Sequence, residues 1–152
     1  MQICLMAKYR KLSHVVYKCE YHLVFPPKYR FKILTGAIKD LLEHDIRSIC
    51  SWKEVDIIEM NIQIDHVHMY ISIPPKISVS DFLGILKGKT AIKMFKSYPN
   101  LKKKPYWGNH FWSRGYFINT VGMDADLVQR YVKYQETEEK RQENDSTDFT
   151  LF

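Results

Sequence analysis

The stretch IQIDHVHMYISI, residues 62–73, decides the fold because polar and apolar side chains alternate along most of it. Successive side chains of a β-strand point to opposite faces, so we expect His66 and His68 on one face and Val67 and Met69 on the other. Two imidazoles on one face can converge on a single metal ion, although a His-x-His pair is more often structural. The stretch therefore predicts a strand, and the rest of the chain has to decide whether the strand carries a metal site.

The length and cysteine content point to one ordinary intracellular domain. A chain of 152 residues can bury a core without covalent staples. Cys4, Cys19 and Cys50 are widely spaced and odd in number, which excludes a disulfide framework and a Cys-x-x-Cys metal knuckle. No apolar run approaches a membrane span, and the apolar start of the chain is too short for a signal peptide. We therefore expect a soluble cytoplasmic protein with no membrane partner.

The net charge of +6 is unevenly distributed along the chain. Residues 1–34 carry seven Lys or Arg against one acid, and residues 82–123 carry eight against none. A solvated basic face would explain such segments, but aromatic residues are interleaved with the basic ones at residues 28–31 and 103–107. Because bases stack on aromatic rings while Lys and Arg hold phosphates, this pattern favours a nucleic-acid partner.

Hydrophobic periodicity predicts the order strand, helix, strand, strand, helix, strand, helix. Residues 15–25 predict one strand, and apolar spacings of three and four after Thr35 predict a helix of about four turns capped by Thr35. Residues 55–60 and the histidine strand are then expected to pair as a hairpin. The first six elements match the β-α-β-β-α-β order of an α+β ferredoxin-like sandwich, in which helices cover one face of an antiparallel sheet.

A second helix is predicted over residues 79–98, with Ser78 or Ser80 as its N-cap. Its charged positions from residue 87 to residue 96 are all lysines, and a bound polyanion explains them better than internal salt bridges do. The apolar stripe that should face the core consists of Phe82, Leu83, Leu86, Ile92 and Phe95.

The last predicted elements are a strand and a helix. The strand spans residues 111–120 and contains Gly115, which indicates a bulge or a close backbone approach. The helix begins near Asp124, and the chain after Glu136 is polar and acidic. We expect one domain over residues 1–140 and a flexible acidic tail over residues 141–152.

Several motifs together resemble a known family. HVH at residues 66–68, FWSRGY at residues 111–116 and YVKYQ at residues 131–135 occur in the order typical of transposases of the insertion-sequence 200/605 type. YHLVFPPKYR at residues 21–30 is similar to the first strand of that family and its exit. These transposases are small single-tyrosine members of the His-hydrophobic-His nuclease superfamily. The resemblance implies an enzyme that cuts and rejoins single-stranded DNA at insertion-sequence ends.

The resemblance also implies an active site. His66, His68 and Gln135 would bind Mg2+ or Mn2+, and Tyr131 would be the nucleophile that forms a 5′-phosphotyrosine link and releases a 3′-OH. The chemistry agrees, since Tyr131 and Gln135 at i and i+4 share a helix face. A divalent ion that polarises the scissile phosphate offsets the poor nucleophilicity of a phenol with a pKa of about 10. Tyr134 is a competing nucleophile that lacks the i+4 spacing from Gln135.

The resemblance further implies a homodimer and recognition of DNA with hairpin ends. Asp65 could orient a histidine through a hydrogen bond. Because it precedes His66 in a strand, we expect it instead to point to the other face and to have a turn or backbone role. His22 is expected to be a packed or solvent-edge histidine, and Arg114 could form an ordinary salt bridge instead of contacting DNA. The residues predicted to contact DNA are basic: Lys28, Arg30, Lys87, Lys89, Lys93, Lys103 and Arg114.

Two alternatives remain open from the sequence. A domesticated relative that processes chromosomal repeat hairpins, or a replication-type nicking enzyme, would keep the chemistry but serve another process. A ferredoxin-like nucleic-acid-binding module would bind DNA whether or not metal and Tyr131 were present. Dependence of an activity on both metal and Tyr131 therefore distinguishes the enzyme from the module.

Overall fold

The computed structural model describes residues 9–103 and 110–120. Tyr131, Gln135, the predicted C-terminal helix and the predicted tail therefore lie outside the described residues. The chain divides into two units, one of which is residues 19–121. In the other unit the structure describes a hairpin of β1 (Arg10–Leu12) and β2 (Val15–Tyr17), which pair antiparallel with Lys11 opposite Val16.

The unit of residues 19–121 is built on a four-stranded sheet. Its strands are β3 (Glu20–Phe25), β4 (Asp56–Ile62), β5 (Val67–Ser72) and β6 (Phe117–Thr120), in the spatial order β4-β5-β3-β6. All neighbouring strands are antiparallel. Helix α1 (Gly36–Trp52) joins β3 to β4, and helix α2 (Val79–Ser97) follows β5. This order confirms the predicted α+β ferredoxin-like sandwich.

Local sequence explains where the two helices begin. Thr35 precedes α1 in an extended conformation, but its side chain makes no capping hydrogen bond. Ser78 caps α2, because its Oγ accepts a hydrogen bond of 3.1 Å from the backbone N–H of Asp81. Of the two predicted caps, Ser78 is therefore the correct one. None of the described helices is long and apolar enough to cross a membrane.

The core lies between the sheet and the two helices. Alternate residues of β3 and β5 are fully buried, and they pack against one face of each helix. The buried strand residues are Leu23, Phe25, Val67, Met69 and Ile71, and the buried helical residues include Leu42, Ile46, Ile49, Cys50, Phe82, Leu83, Leu86, Met94 and Phe95.

Two sequence predictions, about a strand and about the buried stripe of α2, are wrong. The strand expected over residues 15–25 is broken at Lys18 and Cys19, since residues 15–17 pair locally with β1 and only Glu20 onward pairs with β5. Ile92 is 69% exposed, because it lies about 240° around α2 from Leu86 and therefore off the buried stripe. Met94 takes the buried position instead.

The strand predicted over residues 111–120 is shorter than expected, since β6 begins at Phe117. Phe111 and Trp112 are buried in the core, and Trp112 forms an isolated bridge with Pro27. Gly115 lies outside β6, so it is not a strand bulge. Apart from its two chain neighbours, no heavy atom of the residues that the structure describes lies within 4 Å of the position that a Cβ would occupy there, so no close backbone approach is found among them.

Candidate active site

The two histidines share the sheet face opposite α1 and α2. Strand β5 buries Val67, Met69 and Ile71 against the helices, so the side chains between them point the other way. His68 is exposed within β5, opposite Val24 of β3 and Asn61 of β4, and half-buried His66 immediately precedes the strand. The predicted placement of both imidazoles on one face is confirmed.

Asp65 orients His66, so the prediction that it points away from the histidines is wrong. Asp65 lies in the turn before β5, where strand alternation does not apply. Its Oδ1 is 2.9 Å from Nδ1 of His66, and the hydrogen bond from His66 lowers the pKa of the Asp65 carboxyl, with the charge of Arg30 adding to the effect. An ionised carboxylate only accepts, so Nδ1–H of His66 donates to it, and in the neutral imidazole the lone pair is then on Nε2.

Arg30 holds the other oxygen of this carboxylate. Its guanidinium is 3.2 Å from Oδ2 of Asp65. Arg30 and Tyr29 both have positive φ, at 52° and 57°, and each such non-glycine residue costs about 1–2 kcal/mol. The turn is held by the Lys28 N–H, which donates to the Phe111 carbonyl at 2.9 Å. The sequence predicted Arg30 only as a DNA contact and missed its ion pair with Asp65. Tyrosine and arginine rarely adopt a positive φ, so no sequence pattern predicts the left-handed turn that places Arg30 there.

His22 lies beside the histidine pair on the same face. Its ring stacks on Tyr70 at 4.8 Å between centroids and lies 5.6 Å from the ring of His68. The Tyr70 hydroxyl donates a 3.0 Å hydrogen bond to Glu20, and burial together with this bond raises the pKa of Tyr70. The prediction of a packed His22 is confirmed. A cleft of about 60 Å3 here is lined by His22, His68 and three neighbours, Glu59, Asn61 and Tyr70.

The donor set fits a divalent ion that has further ligands. Within residues 9–103 and 110–120, no group of three or more His, Cys, Asp or Glu is arranged to hold a metal. The two imidazoles would thus need oxygen donors from outside the described residues. Hydrogen bonding of the distal ring nitrogen to a carboxylate, as at His66, is the usual support of a metal-ligating histidine.

A pocket of about 440 Å3 opens next to His66. Val24, Pro26 and Arg30 form one part of its lining, and Ser113 and residues 115–117 form another. Tyr116 and Phe117 are 39% and 61% exposed, so aromatic surface is available beside the imidazole.

The predicted DNA-contacting residues occupy different environments. Lys87 has a structural role, because its ammonium donates to the carbonyls of residues 113, 114 and 115 at 2.6, 3.2 and 3.4 Å. Burial also lowers the pKa of Lys87. Lys89 lies over the ring of Trp52 at 5.0 Å. Burial raises the pKa of the Asp45 carboxyl on α1. The positive charges of Lys93 and Lys89 partly oppose this effect. Two lysines of α2, Lys89 and Lys93, thus have an acid nearby on another helix.

The remaining basic residues are more open. Lys28 lies 5.3 Å from the ring of Tyr29, and Lys103 and Arg114 are exposed. Arg30 is 64% exposed despite its ion pair, so it can still reach a phosphate.

Relatives of the chain are transposases. It is 41% identical over 135 residues to the transposase for insertion sequence element IS200 of Salmonella typhimurium, covering 89% of this chain and 88% of the relative. It is 36% identical over 138 residues to the ISDra2 transposase TnpA of Deinococcus radiodurans, covering 90% of this chain and 98% of the relative.

Solved structures give the same picture for the fold. A crystal structure of a candidate transposase from Deinococcus radiodurans R1 matches with a TM-score of 0.69 at 32% identity, covering 83% of this chain and 97% of that one. A REP-associated tyrosine transposase bound to a REP hairpin matches with a TM-score of 0.52 at 15% identity, covering 79% and 66%. This second likeness supports the fold alone.

The family model described as "Transposase IS200 like" matches residues 15–135. This range contains the sheet with both histidines and extends to Gln135, so it includes every residue of the predicted active site. With its ferredoxin-like sheet and its histidine pair, the chain belongs to the IS200-like transposase family.

Proposed function

We propose that this transposase cuts and rejoins single-stranded DNA at the ends of its insertion sequence by metal-assisted transesterification. The observation that carries the proposal is the pair His66 and His68 on one sheet face, with His66 held through Nδ1 by Asp65. In the neutral ring this hydrogen bond leaves the lone pair on Nε2, which is the nitrogen that would bind a metal.

His66, His68 and Gln135 would hold Mg2+ or Mn2+. The bound ion would polarise the scissile phosphate. Asp65 fixes the ring of His66 and favours the tautomer that can ligate, and Arg30 neutralises part of the negative charge of Asp65. The fixed imidazoles thereby set where the scissile phosphate lies.

Tyr131 would be the nucleophile. Its phenolic oxygen forms a bond to phosphorus, the bond from phosphorus to the 3′-oxygen breaks, and the phenol loses its proton while the 3′-oxygen gains one. The product is a 5′-phosphotyrosine and a free 3′-OH, so the energy of the broken bond is kept in the covalent intermediate. Attack of a 3′-OH on that intermediate rejoins the strand and restores the tyrosine.

Partners and location follow from the same proposal. Lys28, Arg30, Lys103 and Arg114 would contact the phosphates of single-stranded DNA with hairpin ends. The protein would act as a homodimer in the cytoplasm, where its DNA substrate is found. Light scattering coupled to gel filtration tests the dimer, and a mass of one chain would contradict it.

The first experiment follows the covalent intermediate. Purified protein is incubated with labelled single-stranded DNA carrying its own element's end, in Mg2+ or in EDTA, and the products are separated on a denaturing gel. Wild type should give a protein-linked strand in Mg2+ only, Tyr131→Phe should give none, and Tyr134→Phe should retain it. An adduct in Tyr131→Phe would assign the nucleophile elsewhere, and DNA binding without an adduct in any metal would indicate a non-catalytic binding module.

A further inference from the structure

Four side chains form a diagonal ladder on the sheet face opposite the helices. They alternate between β3 and β5 in the order Glu20, Tyr70, His22 and His68. Tyr70 lies directly opposite His22, and the other two steps join diagonal neighbours of the antiparallel pair. Diagonal neighbours on one sheet face are within reach of aromatic and other long side chains. The ladder therefore leads from the first residue of β3 to one of the two predicted metal ligands.

Each step of the ladder is a contact between side chains. The Tyr70 hydroxyl donates a 3.0 Å hydrogen bond to Glu20, which fixes the phenol ring. The His22 ring lies nearly parallel to the Tyr70 ring, at an angle of 15° and 4.8 Å between centroids. The His68 ring follows at 5.6 Å from the His22 ring, tilted by 42°. Both separations are in the roughly 4.5–7 Å range of aromatic pairs, so Tyr70 holds His22, and His22 contacts His68.

The two predicted ligands differ in what holds their rings. His66 donates through Nδ1 to Asp65, whereas the His68 side chain makes no hydrogen bond to any residue that the structure describes. His68 is also exposed, and an exposed side chain loses conformational freedom when a ligand fixes it. The ring contact with His22 therefore restricts the His68 imidazole where no hydrogen bond does.

His22 is not arranged as a third metal ligand. Within residues 9–103 and 110–120, no three His, Cys, Asp or Glu side chains are grouped to hold one ion, so His22 does not converge with His66 and His68. The face of the His22 ring packs against Tyr70 instead. This arrangement favours a role that acts through His68 over a role at the ion itself.

We propose that His22 is a positioning residue that orients the His68 imidazole for the metal ion through ring packing, as Asp65 orients His66 through a hydrogen bond. The contact limits His68 to fewer orientations before the ion arrives, so less entropy is lost on binding. The role depends on the flat ring of His22 rather than on its nitrogen atoms. This inference rests on the proposed function, since it assumes that His68 binds the ion.

The first test measures the affinity of the full chain for Mn2+ by isothermal titration calorimetry. His22→Ala should weaken binding about tenfold, the lower end of the range for a lost outer contact of a metal-ligating histidine. His22→Phe keeps a flat ring without the nitrogens, so its affinity should stay within about twofold of wild type. His44→Ala removes an exposed histidine on α1 and is the matched control, which should bind as wild type does.

A second test needs no metal. NMR relaxation of 13C-labelled histidine rings in the metal-free protein measures the order parameter of the His68 ring, whose signal is assigned with His68→Ala. His22→Ala should lower this order parameter, and His22→Phe should keep it near the wild-type value. An equally rigid ring in His22→Ala would show that His68 is oriented without His22, and would overturn the inference.

A double-variant cycle tests whether Tyr70 acts through His22. Tyr70→Leu removes the supporting ring and should weaken Mn2+ binding. The chain with both Tyr70→Leu and His22→Ala should bind no more weakly than His22→Ala alone, because both changes break the same route to His68. Tyr70→Phe loses only the hydrogen bond to Glu20 and should fall between wild type and Tyr70→Leu. Additive losses would contradict the ladder.

The outcomes separate this inference from the proposed function. If wild type binds Mn2+ and His22→Ala binds it equally well, the inference is wrong and the proposed function stands. If His22→Phe loses as much affinity as His22→Ala, His22 acts through a nitrogen atom, as a ligand would, and the inference is also wrong. If wild type binds no Mn2+, the metal-assisted reaction fails and the inference fails with it. Circular dichroism checks folding, and His22→Leu replaces His22→Ala if the alanine variant does not fold.

Discussion

Strand β5 has two faces with different tasks. Val67, Met69 and Ile71 are fully buried against the helices, whereas His68 between them is exposed and Tyr70 is half-buried. A one-residue slip in register would exchange the two faces and bury the imidazole. Burial of the apolar face therefore fixes the register of β5 and with it the position of His68. The helix-covered face should therefore govern stability, and the opposite face should govern chemistry.

The largest expected effect is loss of a histidine. His68→Ala should lower metal-dependent cleavage more than about 100-fold, since removal of a ligand should cost at least as much as loss of its hydrogen-bonding support. The midpoint of thermal unfolding should stay within a few degrees of wild type, because the side chain is exposed. His44→Ala, which removes an exposed histidine on α1, is the matched control and should keep its activity. Full cleavage by His68→Ala would remove the metal site from the proposal.

Met69→Ala changes the neighbouring residue on the other face. Deleting this fully buried side chain should lower the free energy of unfolding by about 2–5 kcal/mol, which urea denaturation measures. Cleavage per folded molecule, assayed well below the unfolding midpoint, should stay within about twofold of wild type. A large loss of cleavage with unchanged stability would show that the two faces are not separable.

The same division explains what the sequence could predict. Burial acts on alternate residues of β5 and on the stripe of each helix, so periodicity was sufficient for the sheet, both helices and the shared face of the histidines. Ile92 was misplaced because an apolar residue need not be buried, and only the rotation of α2 relative to the core decides it. The buried position that periodicity assigned to Ile92 is occupied by Met94.

The contacts of the candidate site were less predictable than its histidines. The hydrogen bond from His66 to Asp65 depends on where the turn ends and β5 begins, and a boundary error of one residue reverses the expected direction of a side chain. The ion pair of Asp65 with Arg30 joins residues far apart in the chain through a left-handed turn. The roles of Tyr131 and Gln135 stay predictions, since both lie outside the described residues.

Asp65→Asn should have the next largest effect on the chemical face. The amide can still accept from Nδ1–H of His66 but lacks the negative charge, so affinity for Mn2+ should fall about 10- to 100-fold. Isothermal titration calorimetry measures it, and Asp40→Asn on the exposed surface of α1 is the matched control. Unchanged metal affinity in Asp65→Asn would mean that the hydrogen bond does not orient a ligand.

Cys50 provides a pH test of the buried face. Burial raises the pKa of its thiol from 9.0 to about 12, so the folded chain keeps a proton that the unfolded chain loses. Its contribution to stability is full below pH 9 and falls as the pH rises from 9 toward 12, by at most about 1.4 kcal/mol per pH unit. Urea denaturation of wild type and Cys50→Ala across this range should show a steeper decline for wild type. Parallel declines would contradict the raised pKa.

The smallest expected effect is that of Arg30. Its guanidinium is 64% exposed, and exposed ion pairs contribute about 0–1 kcal/mol, so Arg30→Ala should weaken Mn2+ binding less than about fivefold. Salt screens an exposed pair, so this difference should vanish near 1 M salt, whereas the loss in Asp65→Asn should largely remain. Arg30→Gly removes the same pair but accepts the positive φ of 52°, so it should be at least as stable as Arg30→Ala. If Arg30→Ala weakened metal binding as much as Asp65→Asn does, the ion pair rather than the hydrogen bond would be what orients His66, and the chemical face would then depend on the turn at Tyr29 and Arg30.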